Sequence, residues 1–203
     1  MVHLLFNKNL APWGAKNTDE LLEILDDFNV KTTFFMTGFW IENYPEKVEK
    51  ISDHGHEIEN HSFSHSHMSK LNENQIKDDV EKVHHQINDL TGREPKLFRP
   101  PFGDYNNRLV ETLEEMDYYP IQWSIDSLDW QAPDQDYIVD KVLDDVHPGA
   151  IVLFHNNGTH TPGALKEILA HLEEKEYEVV PISELIYTDN YYVDPTTGAQ
   201  IKE

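Results

Sequence analysis

His61 and His65 stand four residues apart in His61-Ser62-Phe63-Ser64-His65, directly after Gly55-His56-Glu57-Ile58-Glu59-Asn60. On one turn of a helix, positions i and i+4 face the same way, so the two imidazoles could share one metal ion. Imidazole suits zinc, copper, iron, nickel and cobalt, and the spacing alone selects no ion. In a chain with 12 histidines, the same spacing also fits a partly exposed polar turn. Three further runs concentrate reactive side chains: Arg99-Pro100-Pro101-Phe102-Gly103, Asp126-Ser127-Leu128-Asp129-Trp130 and Leu153-Phe154-His155. Taken singly, each has a plainer reading. Arg99 could pair with any of many surface carboxylates, Trp130 could be core, and His155 could be a satisfied histidine ending a buried strand.

Positioning these groups requires elements, and the hydrophobic pattern supplies them. Val2 to Phe6, Lys31 to Met36, Ile58 to Asn60, Leu97 to Arg99, Ile121 to Ile125, Ala150 to Phe154 and Glu178 to Val180 read as strands. Between them lie helical periodicities. Thr18 is a plausible N-cap for a helix carrying Leu21, Leu22, Ile24, Leu25 and Phe28, and Pro45 suits the first turn of a helix to about His54. The longest helix runs from Asn72 to Thr91 with Ile76, Val80, Val83, Ile87 and Leu90 on one face, stopped by Gly92. Helices are also expected over Leu109–Met116, Tyr137–Val146, Ala164–Lys175 and Ile182–Ile186. Strand and helix alternate about seven times, which calls for a parallel sheet or a barrel. The polar candidates fall just after strands, the end that carries active sites in α/β barrels. One domain over 1–187 is expected, followed by a short polar tail or hairpin over 188–203 around Pro195-Thr196-Thr197-Gly198.

Composition narrows the function classes. A net charge of −22 would repel nucleic-acid phosphates and anionic membrane surfaces, and is what solubility in a salty environment asks for. There are no cysteines, hence no disulfides, thiolate metal ligands or cysteine nucleophiles. No apolar run approaches the ~20 residues of a membrane span. Met1 to Asn9 shows no signal-peptide pattern, although a trimmed N-terminus would be compatible with export. No glycine-rich loop opens a helix to cradle phosphate.

The order of the strand-end motifs resembles the NodB-homology polysaccharide deacetylases, carbohydrate esterase family 4. Lys31 to Gly38 resembles the family's second strand, Gly55 to His65 its histidine motif, Arg99 to Gly103 its third, Asp126 to Trp130 its fourth and Leu153 to His155 its fifth. The resemblance implies an α/β distorted (β/α) barrel of about seven parallel strands and metal-dependent removal of acetyl groups from a polysaccharide or oligosaccharide. Chitin oligomers, peptidoglycan, acetylated xylan and poly-N-acetylglucosamine are all within the family's range. It further implies His61 and His65 as ligands to a divalent metal, zinc first, with cobalt or nickel as alternatives. An amide is a poor electrophile, and such a cation would polarise its carbonyl and activate water. His155 would protonate the leaving amine, oriented by Asp129, with Asp126 as second choice. The N–H of Phe102 would stabilise the oxyanion, Trp130 and Leu153 would line the acetyl pocket, and Arg99 would hold the catalytic base. An extracellular or cell-surface location accompanies the resemblance, with a cytoplasmic one as the alternative.

The pattern breaks at the first motif. The family's first strand ends in Thr-Phe-Asp-Asp-Gly, whose first Asp is the base and second a metal ligand. Here the strand reads Leu4-Leu5-Phe6-Asn7-Lys8-Asn9, so Asn7 takes the base position and Lys8 the ligand position. Anchored instead on Trp13-Gly14, those positions become Leu10 and Ala11. Under either register no Asp or Glu precedes Asp19, and metal affinity is expected to fall below the family's. Three readings follow: a deacetylase with a rearranged site in which His155 is both base and acid, a pseudoenzyme that binds glycans through aromatics such as Trp13, Trp40, Phe102 and Trp130, or an unusual subfamily. A metal buffer built on His54, His56, His61, His65 and His67 ranks below these, because it leaves the third and fourth motifs unexplained.

Overall fold

The computed structural model describes residues 1–8, 15–194 and 196–203, with the side chains of Leu5, Asn7 and Lys8 outside the description. Seven strands form one parallel sheet: β1 (His3–Lys8), β2 (Thr33–Met36), β3 (Glu57–Asn60), β4 (Leu97–Phe98), β5 (Tyr119–Pro120), β6 (Ile125–Asp126) and β7 (Ile151–His155), in the order β5-β4-β3-β2-β1-β7-β6. Helices α1 (Thr18–Asp27), α2 (Gly38–Asn43), α3 (Pro45–Asp53), α4 (Glu73–Thr91), α5 (Asn107–Glu115), α6 (Gln135–Asp145), α7 (Thr161–Glu174) and α8 (Ile182–Leu185) connect and cover them. This is the parallel α/β architecture expected. Strand pairing does not run round a closed barrel: among the described residues β5 and β6 are edges.

The region between those edges departs from the single strand expected over Ile121–Ile125. Pairing with β4 covers only Leu97–Tyr119 and Phe98–Pro120. The chain then crosses from one edge to the other. The Ile121 N–H reaches the Phe98 carbonyl at 2.8 Å, and the Ser124 N–H reaches the Ile151 carbonyl at 3.0 Å. The expected strand over Glu178–Val180 is a single bridge between Val2 and Val179. Asn17, not Thr18, is the N-cap residue of α1, and α2 is a helix the sequence pattern did not announce. The tail does form a hairpin, β8 (Tyr191–Val193) against β9 (Gln200–Lys202).

Both faces of the central strands are apolar, as a sheet covered on both sides requires. Phe6, Phe34 and Phe154 stack across β1, β2 and β7, with centroids 5.1 and 5.6 Å apart, and pack with Leu21, Leu25, Leu165 and Leu169 of the covering helices. The alternate residues Phe35, Leu97 and Leu153 join Ile121 and Ile182 in a smaller cluster on the opposite face. No helix among the described residues is long and apolar enough to cross a membrane.

Helix α4 has the complete start and stop signals its sequence carries. Asn72 and Gln75 form a reciprocal capping box, and Gly92 ends the helix at φ 67. Between β3 and β4, Glu59 accepts the N–H groups of Lys96 and Leu97 at 2.8 and 2.7 Å. Burial outweighs those bonds and pushes its carboxyl up to about 8. A carboxyl with a raised folded-state pKa binds its proton more tightly folded than unfolded, so stability falls as pH rises from about 4.5 to about 8. Glu59→Gln is expected to flatten that slope in urea unfolding across this window. An unchanged slope would show that Glu59 is ionised throughout.

Candidate active site

The described reactive side chains converge at the carboxyl ends of β3, β4, β6 and β7. His61 follows β3 directly and is fully buried, but it does not begin a helical turn. His61 to His65 form a tight loop in which Ser62 and His65 adopt φ 70 and 52, the left-handed region that L side chains rarely enter. Hydrogen bonds hold that conformation. The Ser62 N–H donates to Asn60 Oδ1 and the His65 N–H to Ser62 Oγ, each at 2.9 Å. Asp79 of α4 accepts the Phe63 N–H at 2.7 Å, the Ser64 N–H at 3.3 Å and the Ser64 hydroxyl at 2.8 Å. The loop still brings the two rings together, with centroids 4.9 Å apart and planes at 82°. Other members of the histidine cluster do other work. His54 pairs with Asp26 at 2.6 Å, and buried His56 packs edge-on against Phe34.

The environment of His61 fixes its tautomer. Its Nδ1 lies 2.7 Å from the Arg99 carbonyl, which can only accept, so Nδ1 carries the proton and Nε2 presents a lone pair. Arg99 Nη1 donates to that lone pair at 2.9 Å. Burial, then the Arg99 charge, holds His61 well below the ordinary histidine range, and the same causes bring His65 down to about 4. Both rings are therefore neutral near pH 7. Arg99 is 3% exposed, and its guanidinium lies 4.5 Å from the Trp123 ring centroid. Burial lowers it to about 9, so it remains charged at neutral pH.

On the other side of the site, Asp129 and His155 form a complete pair. Asp129 is fully buried, and its carboxylate lies 2.8 Å from His155 Nδ1. The same carboxylate accepts the His155 N–H at 2.8 Å and the Thr161 hydroxyl at 2.7 Å. His155 Nε2 is thereby left to face the cleft, the orientation a general acid or base needs. Asp126, the second choice for this role, bonds the Leu128 N–H at 2.9 Å instead.

His65, Arg99, Phe102, Trp123, Asp126, Trp130, Leu153, His155 and Asn157 line a pocket of about 370 Å³. Trp130 and Phe102 are more than half exposed at its rim, whereas Leu153 is buried in its wall. Phe102 takes φ 60, its ring stacked on His67 at 4.4 Å. Gly103 follows at φ 65 with Trp123 packed so closely that a Cβ would come within 2.6 Å of its ring. Trp40, a candidate sugar platform, is buried in the core and does not line this pocket, while Trp13 lies outside the described residues. Helix α7 begins at Thr161, ahead of the expected Ala164.

At the first motif the backbone register is clear. The Cα of Asn7 pairs with those of Phe35 and His155, and that of Lys8 with Met36. Position 7 therefore sits beside the catalytic-acid candidate, as the Phe6 anchoring requires. The alternative positions, Leu10 and Ala11, lie outside the described residues. The first carboxylate of the chain, Asp19, is engaged elsewhere, bonded to Lys47 and Lys50 at 2.7 and 2.8 Å.

These residues do not fit a resident divalent metal well. Among the described residues no three His, Asp or Glu side chains are grouped to hold one. The Nε2 of His61, which would bind the ion, already accepts from a cation. The sequence reading passed over Thr161, Trp123 and Asp79. Only Asp79 gave a signal: it is an acid on the apolar face of α4, between Ile76 and Val80.

Residues 1–121 match the model of the polysaccharide deacetylase family. The chain is 33% identical over 186 residues to the uncharacterised YlxY protein of Bacillus subtilis, covering 92% of this chain and 57% of that protein. It is 34% identical over 175 residues to a peptidoglycan-N-acetylglucosamine deacetylase of Bacillus cereus, covering 84% and 64%. Among solved structures, a CE4 family pseudoenzyme from Bacillus anthracis superimposes with a TM-score of 0.86 at 34% identity, covering 91% of this chain and 64% of that one. A mutant of the same protein, described as having restored enzymatic activity, matches with the same TM-score at 33% identity, covering 91% and 66%. The chain spans 57% to 65% of the length of the first curated relatives it matches.

Proposed function

The chain belongs to the polysaccharide deacetylase family, a family of carbohydrate-acting hydrolases, and we propose on that footing that it binds an N-acetylated cell-wall glycan while hydrolysing it poorly. Peptidoglycan is the proposed glycan, following the names of the relatives, and the cell wall the proposed place of action. The observation that carries the reading is the donation from Arg99 Nη1 to His61 Nε2, in a chain with no carboxylate before Asp19. In the family's arrangement that arginine holds the base and that lone pair holds a metal. Here neither service is available.

The acid half of the machinery is retained. Trp130 offers an indole face to a sugar ring, and Leu153 an apolar wall to the acetyl methyl group. The N–H of Phe102 and the guanidinium of Arg99 provide donors for the acetamido oxygen. His155, oriented by Asp129, stands ready to protonate a leaving amine. What is missing is the first-motif carboxylate pair, to take a proton from water and complete a metal site, and without it the retained groups bind more than they cleave. Metal affinity is correspondingly proposed to be weak, with zinc, cobalt or nickel held by His61 and His65 alone.

Titration with N-acetylglucosamine oligomers tests this reading through fluorescence of the pocket tryptophans, with acetate measured in the same samples. Saturable binding is expected, weakened about 10-fold by Trp130→Ala, or ~1.4 kcal/mol. Absence of saturable binding would remove the glycan reading. A second reading, retained deacetylation with His155 as both base and acid, is favoured by the completeness of the Asp129–His155 pair. It requires acetate release that His155→Ala abolishes.

A further inference from the structure

Buried charge without a counter-charge is costly, and proteins ordinarily pair it. Arg99 is a departure. It is 3% exposed, and no Asp or Glu oxygen of the described residues forms an ion pair with it. Asp126 lowers its isolation only through space, from across the same pocket. Of its three nitrogens, Nη1 is spent on a neutral imidazole and buried Nε has no acceptor among the described residues. The guanidinium packs against the Trp123 ring, 4.5 Å from its centroid, and forms part of the pocket wall. A fixed, underpaired cation in a 370 Å³ pocket with apolar walls has the chemistry of an anion site.

We propose that Arg99 is the resident cation of this pocket, occupying the place of a metal at His61 and taking a carboxylate-bearing ligand directly. A carboxylate is favoured over a bulkier or more highly charged anion for two reasons. Its planar shape matches the guanidinium, and Asp126, which also lines the pocket, opposes multiple negative charge. Two consequences are separable. Carboxylate binding requires Arg99 and no metal, and metal binding requires Arg99 to leave His61. The proposal shares Arg99 and its contact with His61 with the glycan reading, but needs no glycan to be bound. Oligosaccharide titration of the same samples scores that reading on its own.

The test uses the full chain after chelator treatment, titrated with sodium acetate and followed by tryptophan fluorescence and by NMR. Saturable acetate binding is expected in the native protein, at least about 10-fold weaker in Arg99→Gln and retained in His61→Ala, which removes the metal-ligand candidate but keeps the cation. Acetate binding that disappears in His61→Ala, or persists undiminished in Arg99→Gln, would overturn the proposal. In a parallel zinc titration, Arg99→Gln should bind at least about 10-fold more tightly than the native chain. Equal zinc affinity would show that Arg99 does not compete for His61. Should Arg99→Gln fail to fold, the His61→Ala arm decides alone: kept acetate binding supports the resident cation, and lost binding refutes it.

Discussion

Replacing Asn7 and Lys8 together by aspartate, N7D/K8D, is expected to raise acetate release from N-acetylglucosamine oligomers by at least about 100-fold. General-base catalysis alone contributes about 10² to 10⁴-fold, and completing a metal site adds electrostatic polarisation of the amide. The register supports the placement, since Asn7 pairs with His155 at the end of β1 and Lys8 follows it. The double change also removes an ammonium and adds two negative charges at the end of β1, so bound zinc should rise towards one per chain. A new carboxylate at position 7 would in addition give Arg99 the acid it now lacks, drawing it off the His61 lone pair. Asn7→Asp alone should recover less, because the metal would still have only two imidazoles. If the double variant bound zinc stoichiometrically yet released no acetate, the defect would lie beyond the first motif.

Asp129→Ala is expected to be the most destabilising single change at the site. The carboxylate is fully buried and serves three donors: the His155 N–H, the His155 ring and the Thr161 hydroxyl. Truncation leaves all three in a dry environment, at a cost of about 3–5 kcal/mol. For a chain of this size each kcal/mol moves Tm by about 2–4 °C, so a fall of roughly 10 °C is expected by calorimetry. The close packing around the pair enlarges the effect: a Cβ at Gly158 would lie 3.1 Å from the Asp129 carbonyl, which leaves little room for relaxation. In the N7D/K8D background, Asp129→Asn should also depress turnover, since an amide neither charges His155 nor fixes its tautomer. A Tm within 2 °C of the native value would mean that the three donors find other acceptors, and that the pair is dispensable to the fold.

How much of this could be read from residues alone follows physical lines. The strands were legible where the pattern is dense: Phe34 to Met36 and Val152 to Phe154 are continuous apolar runs that a doubly covered sheet demands. Asn72 and Gly92 announced the ends of α4 because caps are local chemistry. The crossing at residues 121–124 was hidden, because an apolar run looks alike whether it pairs with one strand or passes between two. The histidine spacing gave the correct neighbours for the wrong reason. A helix would bring His61 and His65 together, but the chain does so with two left-handed residues held by Asn60, Ser62 and Asp79. The Asp129–His155 pair was legible through family order and Arg99's contact with His61 was not. A side chain deprived of its usual partner is re-aimed by three-dimensional surroundings that sequence spacing does not encode.

The account stands most directly on one comparison: acetate released from N-acetylglucosamine oligomers by the native chain and by N7D/K8D, at the same saturating zinc concentration and with bound metal counted in both. The expected result is native release at background despite measurable oligomer binding, with release at least about 100-fold higher in the variant. Native release equal to the variant's would contradict it, showing that the pocket activates water without a first-motif carboxylate and that Arg99 at His61 does not disable the site.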